Sequence, residues 1–207
     1  MCGILGTSSN NSAYECYRGL LAIQHRGQDS AGILSFDGIV HQKKEKGRVL
    51  NVFNKEELSK LEGSKAIGRV RYPTAGTNTL CEAQPFFLSY PYGIGLAHNG
   101  NITNYQDLKV ELEGKHRCIH SKSDTEVMIN ILSEELMKND TFEAIKGTME
   151  RIDGSYSAVM MLPKKLIAFR DPYGNRPLVF GEKTNLDETA FSFSSESVGL
   201  DVNGYSL

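Results

Sequence analysis

The sequence predicts an α+β fold, and three observations carry that prediction. Short β-like runs stand at hairpin spacing, helical stripes arrive as separate blocks, and the two do not alternate one for one. Short strands with tight links pair antiparallel, whereas a doubly wound α/β sheet places a helix after nearly every strand. No repeat, low-complexity tract or Pro/Gly/Ser-rich linker interrupts the chain, so residues 1–207 are read as one domain.

The elements follow in order. Ser12 and Glu15 have capping-box spacing ahead of Tyr17, Leu20, Leu21 and Gln24, a helical stripe that should end near Gly27. β-like runs over 31–36 and 39–42 flank Asp37-Gly38, which reads as a hairpin turn. Strands are also expected over 66–72 and 93–98. Ser123 and Glu126 repeat the capping device before Val127, Ile131, Leu132 and Leu136. Asp140 with Glu143 opens a third helix whose apolar side carries Phe142, Ile145, Met149 and Ile152. The later strands should cover 156–162, 166–170, 178–180 and 190–194.

Composition removes several function classes. With 207 residues, 40% of them apolar, and nine Phe and nine Tyr, the chain can bury a substantial core. A net charge of -2 with both signs interspersed offers no basic field to nucleic acid or to an anionic membrane. No apolar run approaches the ~20 residues of a spanning helix, and the first residues lack a secretory pattern, so the expected compartment is the cytoplasm. Cys2, Cys16, Cys81 and Cys118 lack paired CxxC spacing and read as free thiols in a reducing environment. His116, Cys118 and His120 would share one face of a strand, a zinc-like alternation, but no fourth ligand stands near; a polar surface strand without metal is expected.

Chemistry concentrates at Cys2. With Met1 removed, thiol and α-amine would sit on one residue. A thiol titrates near ~8.5 and an α-amine near ~7.7–8.0, so the amine can take the thiol proton close to neutrality. A cysteine at position two also arises with no chemical purpose, and four further segments bear on the choice. Each places Gly or a helix start beside charged or amide residues where a regular pattern stops.

Arg26-Gly27-Gln28-Asp29-Ser30-Ala31-Gly32 leaves the first helix and reads either as a Gly cap with a polar turn or as a functional loop. Arg69 and Arg71 share one face of a strand that stops before Pro73, either as a carboxylate anchor or as a solvated, salt-bridged face. His98-Asn99-Gly100-Asn101 supplies the donor types of an oxyanion hole, and equally the strongest short hairpin signal. Asp124, following Ser123 at a helix start, is favoured there by the helix dipole or serves to pair with a substrate ammonium. A free α-amino acid with a side-chain amide would engage all of these groups together.

In their order along the chain these segments resemble the class II glutamine amidotransferase family, and within it the glutaminase domain of the amidophosphoribosyltransferases. The likeness starts at Cys2-Gly3-Ile4 and takes in Arg26 to Gly32, Arg71-Tyr72-Pro73-Thr74-Ala75-Gly76 and Ala83-Gln84-Pro85-Phe86. It continues through His98 to Asn101, Ser123-Asp124-Thr125-Glu126, Phe169-Arg170-Asp171-Pro172 and Arg176-Pro177-Leu178 to Ser195-Glu196-Ser197. Gln28 stands where the related glucosamine-phosphate synthases usually carry Tyr.

This resemblance implies a four-layer αββα sandwich of antiparallel sheets, the N-terminal nucleophile hydrolase fold, with glutamine as substrate. It assigns Cys2 as nucleophile and Asn99 and Gly100 as oxyanion donors. Arg71, with Thr74 nearby, would hold the glutamine α-carboxylate, Asp124 the α-ammonium, and Arg26 would support the active-site loop. The ammonia released would pass to a phosphoribosyltransferase domain for transfer to phosphoribosyl pyrophosphate in purine synthesis; no metal or cofactor is implied in this domain.

Departures from the family pattern are Arg69, where His is common, and Asn175, where Ile is usual; neither is expected to touch the chemistry. The transferase half carries adjacent aspartates, and this chain has no Asp-Asp pair, so that domain is expected to be absent. The expectation is a glutaminase half separated from its transferase, with a short paralogue as the alternative. A stand-alone subunit serving another synthase, and a silent glutamine-binding protein that retains Met1, are the rival functions. Assembly into a homo-oligomer is left open.

Overall fold

The structure, a computed structural model, describes residues 1–72, 80–185 and 188–207. In chain order the first elements are β1 (Gly3–Ser8), α1 (Ser12–Ala22), β2 (Ser30–Phe36), β3 (Val40–Lys46), α2 (Val49–Val52), α3 (Lys55–Ser59) and β4 (Lys65–Arg71). There follow β5 (Phe86–Leu88), β6 (Ile94–Ile102), α4 (Tyr105–Gly114), α5 (Asp124–Leu136) and α6 (Thr141–Arg151). The chain then runs through β7 (Gly154–Leu162), β8 (Lys165–Arg170), β9 (Val179–Asn185), β10 (Glu188–Ser194) and α7 (Val198–Asp201).

Among the described residues the strands form a six-stranded sheet ordered β3-β2-β4-β1-β10-β9 and a four-stranded sheet ordered β5-β6-β7-β8. All the pairings are antiparallel. Three apolar interfaces stack them into four layers. Leu5, Cys16, Leu20, Ile33 and Val70 seal α1 and α2 onto the larger sheet. Ile4, Leu34, Ile67, Ala97, Val159 and Met161 join the two sheets face to face. Leu96, Leu112, Val127, Ile131, Leu132 and Met160 bind α4, α5 and α6 to the smaller sheet. Burying one Leu or Ile side chain contributes roughly 1.5–3 kcal/mol, so each interface is cohesive without any covalent link.

The predicted α+β class and the αββα layering hold, and the expected strands all form. Sequence patterns missed β1, whose six residues include two glycines, the three-residue β5, and α4. They also misjudged two capping boxes. Asn11, not Ser12, precedes α1; Ser12 Oγ donates to Gly63 O at 2.7 Å and Glu15 accepts from Ser9 Oγ at 2.8 Å. Ser123 precedes α5 without a side-chain cap, because Glu126 instead accepts the His120 and Ser121 N–H groups at 2.9 and 2.7 Å. Asp140 does cap α6, accepting from the N–H groups of Phe142 and Glu143. On α6 the buried face is shifted from the expected one: Ala144 and Thr148 are fully buried, whereas Phe142 is exposed.

Two glycine readings change. Gly27 is no left-handed cap, since its φ of -169° is extended. A Cβ there would lie 2.4 Å from the Arg71 carbonyl carbon, so the close approach of two backbones demands glycine. Asn99-Gly100 is not a hairpin turn either. Both residues lie inside β6, opposite Ser157 and Tyr156 of β7, because tertiary pairing overrides the local turn signal. His116, Cys118 and His120 lie beyond α4 outside any strand, with Cys118 Sγ 3.7 Å from His120 Nδ1. No group of three or more metal-ligating side chains occurs among the described residues, and no helix there is long and apolar enough to cross a membrane.

Candidate active site

Alternation along three strands brings the candidate residues together. Successive side chains of a strand face opposite ways. Ile4, Ile67 and Ala97 all point into the space between the sheets. Cys2, two residues before Ile4, projects to that same side, as do Arg69 and Arg71 after Ile67, and Asn99 after Ala97. The register Gly3↔Val70 and Ile4↔Arg69 sets the end of β4 beside the start of β1. The N-terminus of α5 adds Ser123 and Asp124 to the wall, so residues far apart in sequence line one cavity of about 390 Å³.

Cys2, Asn99, Gly100, Arg71 and Asp124 all line this cavity, together with Arg69, Tyr105 and Arg176. Cys2 is buried, and its Sγ accepts a hydrogen bond from Arg69 Nη2 at 2.9 Å. Burial pushes the thiol up, but the Arg69 charge, followed by the Tyr72 backbone contact and the Arg69 hydrogen bond, brings it below the usual cysteine range. The Asn99 Nδ2 amide is buried with no hydrogen-bond partner among the described residues. A buried amide donor left open costs free energy, so the position is one a ligand oxygen can satisfy. Gly100 has no room for a side chain: a Cβ would sit 2.2 Å from Ser155 O.

Asp124 takes the first helical position of α5. Its Oδ2 accepts the Ile102 N–H at 3.0 Å, and Oδ1 lies 3.5 Å from His98 Nδ1. Burial pushes its pKa up, but His98, the Ile102 amide and Arg69 outweigh burial and hold the carboxyl at about 2. His98 is itself fixed, with Nδ1 2.9 Å from Thr125 Oγ1 and its backbone N–H donating to Gln84 Oε1 at 2.8 Å.

Arg71 presents a complication that the sequence did not suggest. Its Nη2 pairs with Glu82 at 2.5 Å and its Nη1 with Asp29 at 3.3 Å. Each terminal nitrogen carries a second N–H, so two acids orient the fork without exhausting it. Arg26 lies behind the cavity rather than in it: Nε donates to the Cys2 carbonyl at 2.8 Å, and Nη1 pairs with Glu196 at 2.5 Å. Thr74 lies outside the described residues.

One expectation fails outright. Arg69, set aside at the sequence level as remote from the chemistry, is the side chain that touches the sulfur. The signal was present, since Arg69 shares a strand face with Arg71. Glu82 and His98 gave no comparable signal, because a single acid or imidazole in a mixed segment has no pattern.

Comparison with known proteins identifies the family. The profile described as a glutamine amidotransferase domain matches residues 75–201. An amidophosphoribosyltransferase of Escherichia coli is 43% identical over 99% of this chain, and one of Methanocaldococcus jannaschii is 43% identical over 97%. In each case the match takes up 43% of the relative's length, so the chain spans less than half of the curated proteins it resembles. A solved structure of glutamine phosphoribosylpyrophosphate amidotransferase from B. subtilis, complexed with ADP and GMP, superposes with a TM-score of 0.86 at 32% identity. That likeness covers 99% of this chain and 44% of the other. The shared fold is the N-terminal nucleophile hydrolase sandwich.

Proposed function

This chain belongs to the glutamine amidotransferase family, and from that premise we propose that it hydrolyses glutamine through a Cys2 thioester and supplies the ammonia to a phosphoribosyltransferase. The observation that carries the reading is the convergence in one cavity of a sulfur nucleophile, an unpartnered amide donor, an arginine fork and an ionised aspartate. These are the complements of a glutamine side-chain amide, α-carboxylate and α-ammonium.

With Met1 clipped, the thiol proton resides on the Cys2 α-amine and Sγ attacks the carboxamide carbon; the C–S bond forms as the C=O π bond gives its electrons to oxygen. Asn99 Nδ2 and the Gly100 backbone hold that oxyanion. Collapse breaks the C–N bond, and the nitrogen leaves as ammonia after taking a proton from the Cys2 α-ammonium. Water then adds to the thioester, giving up a proton to the α-amine, and glutamate departs as the C–S bond breaks. Arg71 and Asp124 bind the backbone end of the substrate, and Arg26 holds the Cys2 carbonyl. Thr74 is assigned beside the α-carboxylate by the family pattern alone.

The relatives are named amidophosphoribosyltransferases, which supports a phosphoribosyltransferase domain as the partner and phosphoribosyl pyrophosphate as the ammonia acceptor. A cytoplasmic setting and the absence of any cofactor in the glutaminase half belong to the same reading. The test combines glutamate and ammonia release with labelling by a diazo-ketone glutamine analogue and peptide mapping. Adduct on Cys2, with activity abolished by Cys2→Ala, is expected. Adduct on Cys16, Cys81 or Cys118, or undiminished hydrolysis in Cys2→Ala, overturns the proposal.

A further inference from the structure

We propose that Arg69 is a catalytic residue: its guanidinium serves as the counterion of the Cys2 sulfur and presents the nucleophile as a thiolate. This deepens the glutaminase reading and rests on it. Three observations point the same way. Arg69 Nη2 donates to Cys2 Sγ at 2.9 Å, within a charge-assisted hydrogen bond to sulfur. Arg69 is buried, and no carboxylate pairs with it among the described residues, although Arg26 and Arg71 each hold one or two. Its Nε is likewise buried without a partner there. A buried guanidinium without a paired anion is costly, and the group it touches by hydrogen bond is the sulfur.

The surrounding charges do not supply an alternative. Arg71 is balanced by Asp29 and Glu82; Asp124 feels the Arg69 charge but forms no ion pair with it, its oxygens being held by His98 and the Ile102 amide. Lys122, Tyr105 and Arg176 line the same cavity, but none is hydrogen-bonded to Sγ. The direction of the Cys2 shift, with Arg69 as the first influence opposing burial, agrees with the geometry.

The consequence is a division of labour. A thiolate already formed attacks the carboxamide directly, so the α-amine enters the first step as an ammonium and spends its proton on departing ammonia. Arg69 keeps its own proton throughout. When the thioester is hydrolysed, the C–S bonding pair returns to sulfur and the guanidinium receives the thiolate again. An imidazole at this position would be cationic only in acid, whereas Arg69 keeps its charge, so the counterion persists at neutral and mildly alkaline pH.

Iodoacetamide alkylation of the full chain over a pH series, mapped peptide by peptide, tests this without requiring turnover. Exposed Cys81 and Cys118 act as internal references in the same sample. Cys2 should react at lower pH than either. Arg69→Met should slow Cys2 alkylation about tenfold on the acid side of neutrality and leave both references unmoved. Arg69→Lys should keep most of the acid-side reactivity. Should Arg69→Met fail to fold, Arg69→His, neutral above about pH 7, takes its place in the alkaline half of the series. A Cys2 profile unchanged in the folded neutral variant, with hydrolysis intact, overturns the role of Arg69 alone. Ammonia release that survives Cys2→Ala overturns the glutaminase reading, and the catalytic role with it.

Discussion

Arg26 Nε donates to the carbonyl oxygen of Cys2 at 2.8 Å, tying the short helical turn after α1 to the residue that carries the nucleophile. Glu196, near the other end of the chain, grips the same guanidinium through Nη1 and also accepts from His25. The first residues of the chain are thus held from two sides, which fixes the sulfur relative to β4 and β6. Orientation of this kind is worth more to a reaction than to stability, because misplacement by about 1 Å can cost about a hundredfold in rate.

Arg26→Met should therefore lower kcat for glutamine hydrolysis by about tenfold to a hundredfold with a smaller change in KM. Steady-state kinetics on a variant with an unchanged far-ultraviolet dichroism spectrum check it. A pure KM effect would contradict the positioning role.

Asn99→Ala removes an amide aimed into the cavity while leaving its strand pairings with β7 in place. Loss of one oxyanion donor should cut kcat by about 10²–10³. Turnover near the parent value would refute the assignment.

For Gly100→Ala the added carbon would meet Ser155 O at 2.2 Å and Tyr156 Cα at 2.6 Å, both of them backbone atoms. The strands β6 and β7 must separate, at a cost of about 1–3 kcal/mol. Denaturant midpoints should fall accordingly, and activity should fall further than stability because Asn99 moves with the strand.

Asp124 has a folded-state value depressed to about 2, so its ionised form adds stability that is complete above the ordinary carboxylate value of ~3.9. That contribution disappears as pH falls from there toward about 2. Asp124→Asn should flatten the acid limb of urea stability across this window and raise the KM for glutamine at neutral pH. A parent-like acid limb in the variant would count against the pairing with His98 and the Ile102 amide.

Much of this arrangement was legible before any coordinates. Period-two alternation placed Arg69 and Arg71 on one face, and Asp140 capped its helix as expected. The order of short motifs indicated the family. Where reading failed, a long-range partner had taken over a local signal. Asn99-Gly100 has turn chemistry but lies in a strand because β7 supplies its hydrogen bonds. Ser12 has cap chemistry but spends its hydroxyl on the Gly63 carbonyl, and Glu126, the partner expected for Ser123, is taken by the His120 and Ser121 amides.

The sequence by itself determined which groups are present and on which side of each element they stand, since strand and helix periods are local properties of the chain. It thereby specified a thiol next to the N-terminus, amide donors after an apolar run, and charged anchors for an amino acid. Only the tertiary structure decided that Arg69 meets Cys2, that two acids engage Arg71, and that His98 braces Asp124. The physical reason is that ionisation and hydrogen bonding depend on distance and burial across strands distant in sequence, and those quantities exist only once the sheets have closed on each other.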